Sequence, residues 1–235
     1  QVCLPCNEIQ KDSSLAQLSD KWKSGNLMVL HLGDSHVQIG HFSGEIKRLL
    51  QAKNSGIHFP YPLAKSVDGR LFKTKASGQW TGISVLKPAS GINIGLTGYA
   101  VSTRDTSAKI HWNSKDSLLS FRRVRIWTES DSCAFQPILD SGFVVVNQPQ
   151  RGRMSFYDFE STSPVHQFTL SLRKVGLGDQ FTLHGIELLS EEKGIEYVDL
   201  GVAGAQFTHL KSRANLVVDQ IKIFQPDLII CSFGT

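Results

Sequence analysis

Residues 27–36 read LMVLHLGDSH, an apolar run that stops at a glycine and is followed by an aspartate, a serine and a histidine. Ile39, Phe42, Ile46 and Leu49 then recur at helical spacing. A short apolar run that leads through a tight turn into an amphipathic segment is typical of a parallel α/β sheet. The stretch therefore predicts a strand, a turn and a helix.

The same pattern returns near the other end of the chain. Residues 197–200 (YVDL) lead into Gly201 and Gly204, and apolar residues then recur at helical intervals until Pro226. The helix is expected to end before this residue, because proline cannot donate the next helical hydrogen bond. This segment predicts a second strand, turn and helix.

A third apolar run, DLIICSF at residues 227–233, follows that proline. Continuous apolar runs of this kind are typical of parallel strands that are buried on both faces. Cys231, within the run, is accordingly expected to be a buried small hydrophobe. Three such strands with helices between them indicate an α/β domain.

The middle of the chain has a different pattern. Between Phe59 and Ser190, turn residues separate the short β-rich runs GINIGLTGYAVST, AKIHW, FRRVRIWT, FVVVN, MSFYDF, HQFTLSL and QFTLHGIEL. About seven short strands with turn residues between them are typical of a β-sandwich. The predicted fold class is therefore α/β: residues 1–58 and 191–235 form a discontinuous domain, and residues 59–190 form a β-sandwich inserted into it.

Composition excludes some classes of function. The 25 basic and 21 acidic residues give a net charge of +4 that is spread along the chain, so nucleic acid is not an expected partner. No run of about 18 apolar residues occurs, which argues against a membrane span. The first residues lack the basic-then-apolar pattern of a signal peptide, so any export signal is expected to have been removed.

The four cysteines are too few for a disulfide scaffold. Cys3 and Cys6 form a C-x-x-C in a polar segment, and no further metal ligands lie near them in the sequence. A local or terminal disulfide, unpaired thiols and a redox or metal role all stay open for this pair.

Ser35 is the first residue of interest for chemistry. A serine at the point where a buried parallel strand meets a helix lies at the carboxyl edge of the sheet, where open α/β folds place their sites. Its Oγ could attack a carbonyl carbon, and its N–H could face the oxyanion that forms. The alternative is structural: Asp34 or Ser35 caps the helix, and Gly33 provides the turn.

Small residues end all three predicted strands, and here the sequence resembles a known family. GDSH, the glycine-alanine turn at Gly204 and the run SFGT at residues 232–235 resemble motif blocks of the SGNH (GDSL-type) hydrolases. The stretches LHLGDSHVQIGHFSGEIKRLLQ, GIHFPYPLA and YVDLGVAGAQF resemble bacterial peptidoglycan O-acetylesterases. That resemblance implies a three-layer SGNH-type parallel sheet, incomplete in this chain, with an inserted sandwich similar to a carbohydrate-binding module.

The resemblance also implies an activity and a site. It implies a serine esterase that removes acetyl groups from sugar hydroxyls through an acyl-enzyme, with no cofactor and no metal. Ser35 is then the nucleophile, the N–H groups of Ser35 and Gly204 are oxyanion donors, and Asp34 supports the turn. In the family an asparagine directly follows the Gly-Thr pair, and a D-x-x-H motif supplies the base. Both would lie beyond Thr235, so the chain is expected to be the N-terminal piece of a longer protein.

The histidines of this chain are poor substitutes for that base. His36 follows Ser35 directly, and consecutive residues at a helix start point in different directions, so its imidazole reaches Ser35 Oγ poorly. His31 is expected inside the first strand, His184 on a strand of the insert and His209 on a helix. None has an obvious carboxylate to orient it, as catalytic triads require.

The insert offers a candidate for sugar binding. Arg125 and Trp127 share one face of the predicted strand FRRVRIWT, where an aromatic ring could stack on a sugar and a guanidinium could pair with a carboxylate. The alternative is a solvated strand face whose tryptophan packs against a neighbour. Trp80 and Trp112 are expected to be residues of the core or of a domain interface.

Two functions therefore remain. The first is an O-acetylesterase that acts on a cell-wall glycan such as peptidoglycan and is complete only with the C-terminal remainder of the same protein. The second is a non-catalytic glycan-binding or cell-wall-associated protein on the same scaffold. Either substrate implies a periplasmic or extracellular location. An asparagine directly after Thr235 and a later D-x-x-H would favour the enzyme.

Overall fold

A computed structural model describes residues 13–53, 56–67, 71–116, 119–129, 135–148, 154–190 and 193–234. Cys3, Cys6 and Cys133 lie outside these ranges, as does Thr235. The interpretations that concern the C-x-x-C therefore stay predictions.

Within these ranges, the helices are α1 (Ser13–Lys23), α2 (Ser35–Ile39), α3 (His41–Leu49), α4 (Phe207–Arg213) and α5 (Val217–Phe224), with a short 3-10 helix at Tyr61–Ala64. The strands are β1 (Met28–Gly33), β2 (Gly56–His58), β3 (Phe72–Ser77), β4 (Thr81–Ser84), β5 (Tyr99–Thr103), β6 (Lys109–Ser114), β7 (Phe121–Glu129), β8 (Phe135–Leu139), β9 (Phe143–Asn147), β10 (Met154–Val165), β11 (Gln167–Lys174), β12 (Phe181–Leu189), β13 (Glu196–Gly201) and β14 (Leu228–Ser232). Among these helices, none is long and apolar enough to cross a membrane.

The ends of the chain meet in a small parallel sheet. Its three strands run in the order β13-β1-β14, so the first predicted strand lies between the other two. Gly33 pairs with Gly201 on one side and with Ser232 on the other. Because parallel strands place their carboxyl ends at one edge, the segments after these three residues are neighbours in space.

The helix predicted after β1 is broken in two. Gly40 adopts a left-handed conformation (φ +76°) between α2 and α3, which a residue with a side chain adopts only at a cost. The two helices therefore do not present one continuous apolar face to the core. Ile39, Phe42 and Leu49, which the helical periodicity grouped, are 58%, 59% and 66% exposed.

Most of the remaining strands form two antiparallel sheets. The larger has seven strands, in the order β4-β5-β12-β7-β10-β9 with β2 added on β12, and the smaller has four, in the order β3-β6-β11-β8. Aromatic rings join the sheets: Phe121 of the larger sheet contacts Phe72 and Phe168 of the smaller, at 5.8 Å between ring centroids in both pairs. Large buried side chains therefore fill the space between them.

One apolar core runs through both parts of the molecule. Leu30, Leu32, Val198 and Leu200 of the parallel sheet belong to the same buried cluster as the side chains between the antiparallel sheets. A second, smaller cluster lies on the opposite face of the parallel sheet and includes Val29. Alternation along each strand divides its side chains between these two clusters.

The predicted fold class is wrong. The described residues are mainly antiparallel β-structure, and only three strands form a parallel sheet, so a three-layer α/β arrangement is not present. The strand-turn-helix patterns located the parallel strands, but these strands are a minor share of the fold, and α2 has only 5 residues. The division into domains at residues 58/59 and 190/191 stays a prediction.

Strand β14 also corrects an expectation. The apolar run at residues 227–233 was expected to be buried on both faces, yet Ile229 is 42% exposed and Cys231 is an exposed free thiol. Among the described residues, β14 pairs only with β1, so its other edge has no neighbouring strand. The apolar run therefore predicted the strand correctly, but it did not predict how far the two faces of the strand are covered.

Candidate active site

Ser35 lies where β1 passes into α2. It is the first residue of the helix, is half-buried, and its N–H has no intrahelical partner because a helix begins with unpaired N–H groups. Among the described residues, none hydrogen-bonds Ser35 Oγ. The hydroxyl is therefore available to a ligand at the carboxyl edge of the parallel sheet.

Asp34 organises this turn. Its side chain is buried, and its Oδ1 accepts a hydrogen bond from the His36 backbone N–H at 3.0 Å, which caps α2. Its own N–H donates to Ser232 O at 3.3 Å, which ties the turn to the end of β14. These bonds hold the backbone around Ser35 from both sides.

Gly204 lies in a tight turn after β13, directly beside α2. Three of the four N–H groups of the turn are hydrogen-bonded, at 2.7–3.0 Å: Val202 N–H to Gly33 O, Ala203 N–H to Gln38 Oε1 and Ala205 N–H to Val202 O. The fourth, on Gly204, has no partner among the described residues, and this residue is exposed. The turn therefore presents one unpaired donor at the same edge of the sheet as Ser35.

Close backbone packing brings the two segments together. A Cβ placed on Gly201 would lie 2.5 Å from Asp34 O and 2.3 Å from Gln38 N, which are distances that only the absence of a side chain permits. Gly204 itself has φ +79°, a conformation that favours glycine. The small residues of the sequence motif thus allow the Gly204 turn to approach the Ser35 helix.

No histidine of the chain completes a triad. Of the eight histidines, all within the described residues, none hydrogen-bonds Ser35 Oγ. His36 Nδ1 lies 3.2 Å from Asp34 Oδ1, but this pair does not bond the Ser35 hydroxyl.

His31 is held inside the parallel sheet. Its ring shares hydrogen bonds with Tyr197 Oη at 2.6 Å and with Ser232 Oγ at 2.8 Å, and it is 1% exposed. Burial lowers the pKa of His31, and Asp199 opposes that shift by favouring the charged ring. His31 therefore joins β13, β1 and β14 as a structural residue.

The remaining candidate histidines are also occupied or remote. His184 is buried in β12, where burial lowers its pKa to about 4. The Nδ1 of His209 accepts a hydrogen bond from the Gln206 N–H and helps to cap α4. Neither lies in the strand-end segments that carry Ser35 and Gly204.

The structure does not leave Arg125 and Trp127 free for a sugar. Trp127 is 1% exposed, and its indole N–H donates to Glu187 Oε2 at 2.9 Å. The Arg125 guanidinium pairs with Asp158 through two hydrogen bonds of 2.7 and 3.1 Å and lies over the Phe156 ring. The strand face with Arg125 and Trp127, which the alternating sequence allowed to be exposed, is covered in the structure. This argues against stacking of a sugar on Trp127.

A polar groove lies elsewhere, at the edge of the larger antiparallel sheet. It has a volume of about 880 Å³ and is lined by Trp80, Arg104, Gln79 and Gln180, among others. The Trp80 indole N–H donates to Ser77 O at 3.0 Å, and the Gln79 backbone N–H donates to Asp105 Oδ2 at 2.9 Å, so these bonds hold the wall of the groove in place. The sequence predicted Trp80 in the core or at a domain interface. No local sequence pattern distinguishes a tryptophan that lines a groove from one that is buried.

Across the ranges that the structure covers, no three histidine, cysteine, aspartate or glutamate side chains come together in a way that could hold a metal ion.

Comparison with known proteins finds similarity in fold but not in sequence family. No protein-family model matches the chain, and no curated protein matches it. Two chains of solved structures do. One is a peptidoglycan O-acetylesterase captured in action at 5 min, with a TM-score of 0.62 and 17% sequence identity. The match covers 94% of this chain but 60% of that one, so this chain spans less than two thirds of the structure that it resembles. At such low identity the likeness shows a shared fold and no more.

Proposed function

We propose that the protein is a serine esterase that removes O-acetyl groups from a cell-wall glycan, with Ser35 as the nucleophile. One observation carries the proposal: Ser35 Oγ and the Gly204 N–H, neither of which has a hydrogen-bond partner among the described residues, lie at the same carboxyl edge of β1 and β13. A nucleophile and an oxyanion donor in that relation are what acyl transfer needs. The fold shared with a peptidoglycan O-acetylesterase supports the same reaction class.

The proposed reaction has two halves. Ser35 Oγ attacks the acetyl carbonyl carbon while its proton passes to a base, and the carbonyl oxygen gains negative charge that the N–H groups of Ser35 and Gly204 stabilise. The C–O bond to the sugar then breaks, the sugar oxygen takes the proton from the base, and acetyl-Ser35 remains. Water, deprotonated by the same base, attacks the carbonyl carbon of this ester. The bond between Ser35 Oγ and the acetyl carbon then breaks, Oγ takes the proton back from the base, and acetate leaves.

The base is proposed to be a histidine from the C-terminal remainder of the same protein, beyond residue 235. Support comes from the eight histidines of the chain, none of which hydrogen-bonds Ser35 Oγ. A third oxyanion donor is proposed to come from that remainder too. Asp34 keeps the role of supporting the turn, because its carboxylate already caps α2 and contacts the His36 ring.

A second candidate function is glycan binding without catalysis. The groove beside Trp80 favours it, because an indole wall, two amide side chains and an arginine suit a polyhydroxyl ligand that carries an acidic group. Either function is proposed to take place at the periplasmic or outer cell surface, where such glycans are found.

The test compares hydrolysis of p-nitrophenyl acetate and of O-acetylated peptidoglycan by three forms: the native protein, its Ser35→Ala variant and the 235-residue chain alone. We expect activity in the native protein and a loss of about 10³-fold or more in Ser35→Ala, because the covalent step needs this hydroxyl. The matched control is Ser19→Ala, at an exposed serine of α1, which should keep wild-type rates.

The outcomes separate the candidates. Full activity of the 235-residue chain alone would contradict the position of the base, and wild-type rates in Ser35→Ala would contradict the nucleophile. Absence of hydrolysis in every form, together with peptidoglycan binding that is lost in Trp80→Ala, would establish the binding function instead.

A further inference from the structure

Gln38 connects the two segments of the proposed site. Its Oε1 accepts a hydrogen bond from the Ala203 N–H at 2.7 Å, and its Nε2 donates to Ser66 Oγ at 2.7 Å. The Tyr99 hydroxyl approaches the same Ser66 oxygen at 3.5 Å. One side chain on α2 is therefore fixed at both ends of its amide, toward the Gly204 turn on one side and toward Ser66 on the other.

The bond to Ala203 fixes a particular peptide unit. Val202 C=O and Ala203 N–H belong to the same planar peptide, and both are hydrogen-bonded, the first from the Ala205 N–H at 2.9 Å and the second to Gln38. The next peptide unit carries the Gly204 N–H, which has no partner among the described residues. With the first plane held, only the rotations at Ala203 set the direction of that N–H.

The position of Gln38 on α2 makes this connection relevant to the nucleophile. Gln38 follows Ser35 by three residues, so both lie on one short helix, and the Gln38 N–H donates to Asp34 O at 3.0 Å. Gly201 packs against the backbone of the same helix. The serine and the turn therefore cannot move apart without breaking the bond between Gln38 and Ala203.

We propose that Gln38 is a positioning residue that holds the Gly204 N–H at its working distance from Ser35, and so acts on the transition state through the turn rather than by contact with substrate. This role rests on the proposed function. An oxyanion donor contributes only when it is aimed at the developing charge, and a displacement of about 1 Å can lower a rate by about 10²-fold. Substrate binding in the ground state depends much less on that aim.

The test uses the native protein and the variants Gln38→Met and Gln38→Glu. Methionine has a similar length but cannot accept a hydrogen bond from the Ala203 N–H, so we expect kcat for p-nitrophenyl acetate to fall about 10- to 100-fold with KM changed less than about twofold. Glutamate keeps the acceptor, and the Ser66 hydroxyl can donate to it, so most of kcat should return. Gln17→Met, at an exposed position of α1, is the matched control.

A second measurement does not depend on catalysis. Amide hydrogen exchange at Ala203 should be faster in Gln38→Met than in the wild-type protein, and close to wild type in Gln38→Glu, because only methionine leaves this N–H without an acceptor. An unchanged rate of amide exchange at Ala203 in Gln38→Met would show that the bond to Gln38 does not hold this N–H, and it would overturn the proposed role.

The possible failures can be told apart. If Ser35→Ala is inactive but Gln38→Met keeps the wild-type kcat, the role of Gln38 is overturned and the proposed function stands. If kcat falls equally in the methionine and glutamate variants, the residue serves folding alone and the positioning role is overturned. If the native protein has no Ser35-dependent hydrolysis, the function and this role fail together.

Discussion

Strand β14 has a more apolar sequence than strand β12, yet β14 is the less buried of the two. Eight of the nine residues of β12 (FTLHGIELL) are buried, whereas β14 (LIICS) alternates between half-buried and exposed side chains. In the described part of the chain, β12 pairs with β5 and β2 on one side and with β7 on the other, while β14 pairs with β1 alone. Burial of a strand is therefore decided by its neighbours, and its own hydropathy gives no more than a preference.

The same contrast holds for the two parts of the molecule. The antiparallel sheets bury large rings between them, among them Phe72, Phe121 and Phe168. The parallel sheet has three strands that end in small residues, and within the part of the chain that the structure describes, the Ser35 hydroxyl and the Gly204 N–H have no hydrogen-bond partner. Packing in the first region stabilises the fold, and the second region has the close backbone approaches that a ligand site requires. Three predictions test this division.

The largest effect on stability is expected from Trp127→Ala in the antiparallel region. Its side chain is 1% exposed, and loss of a buried ring of this size costs about 3–5 kcal/mol. The measurement is urea unfolding of both proteins at one pH. Trp22→Ala on α1, where the ring is 50% exposed, is the control and should cost about 0.5 kcal/mol or less. Equal losses in both variants would contradict the division.

A smaller effect is expected from Tyr197→Phe in the parallel sheet. The change removes the hydroxyl that bonds His31 Nδ1 at 2.6 Å and leaves a buried ring nitrogen without its partner, which costs about 1–3 kcal/mol. Burial raises the pKa of Tyr197 to about 12, so the hydroxyl keeps its proton at neutral pH. Ser232→Ala removes the partner of the other ring nitrogen.

The double variant of Tyr197 and Ser232 tests whether the network acts as a unit. Groups that bond the same ring should be coupled, so the combined loss in urea unfolding should differ from the sum of the two single losses by about 0.5 kcal/mol or more. If the two losses in unfolding free energy were strictly additive, the hydroxyls of Tyr197 and Ser232 would act on His31 independently, and the three groups would not form a coupled network.

For Glu187→Gln the expected effect is a change in how stability depends on pH. Burial raises the pKa of Glu187 from 4.5 to about 7, against the opposing influence of Arg125. The folded state therefore holds the proton more tightly than the unfolded state, and this stabilisation is complete below about pH 4.5 and is lost as the pH rises through about 7. The stability of the wild type relative to Glu187→Gln should fall across that range and then level off.

The measurement is urea unfolding of both proteins at several pH values between 4.5 and 8. Glu160→Gln, on strand β10 of the same sheet, is the matched control and should leave the slope unchanged. If the difference in unfolding free energy between the wild type and Glu187→Gln stayed constant with pH, the raised pKa of the Glu187 carboxyl would be contradicted.

Several features of the site could be read from local sequence. The run LMVLHL followed by GDSH located β1, the turn and Ser35, because an apolar strand that stops at a glycine depends only on near neighbours. The glycines at positions 201 and 204 marked a close approach for the same reason, since only the absence of a Cβ allows it. Gln38 gave no such signal, because its partners Ala203 and Ser66 lie far from it in sequence.

Local sequence predicted the three parallel strands and seven of the eleven described strands between β1 and β13, because an apolar or alternating run depends on interactions within a few positions. It did not predict β2, β3, β4 and β8. The tertiary structure decided that antiparallel pairing dominates, that Cys231 of β14 is exposed, and that Arg125 meets Asp158 and Glu187 across three adjacent strands. Those outcomes depend on register and on which strands lie side by side. Residues that are distant in sequence decide both the register and the neighbouring strands, so the local periodicity of a strand cannot predict them.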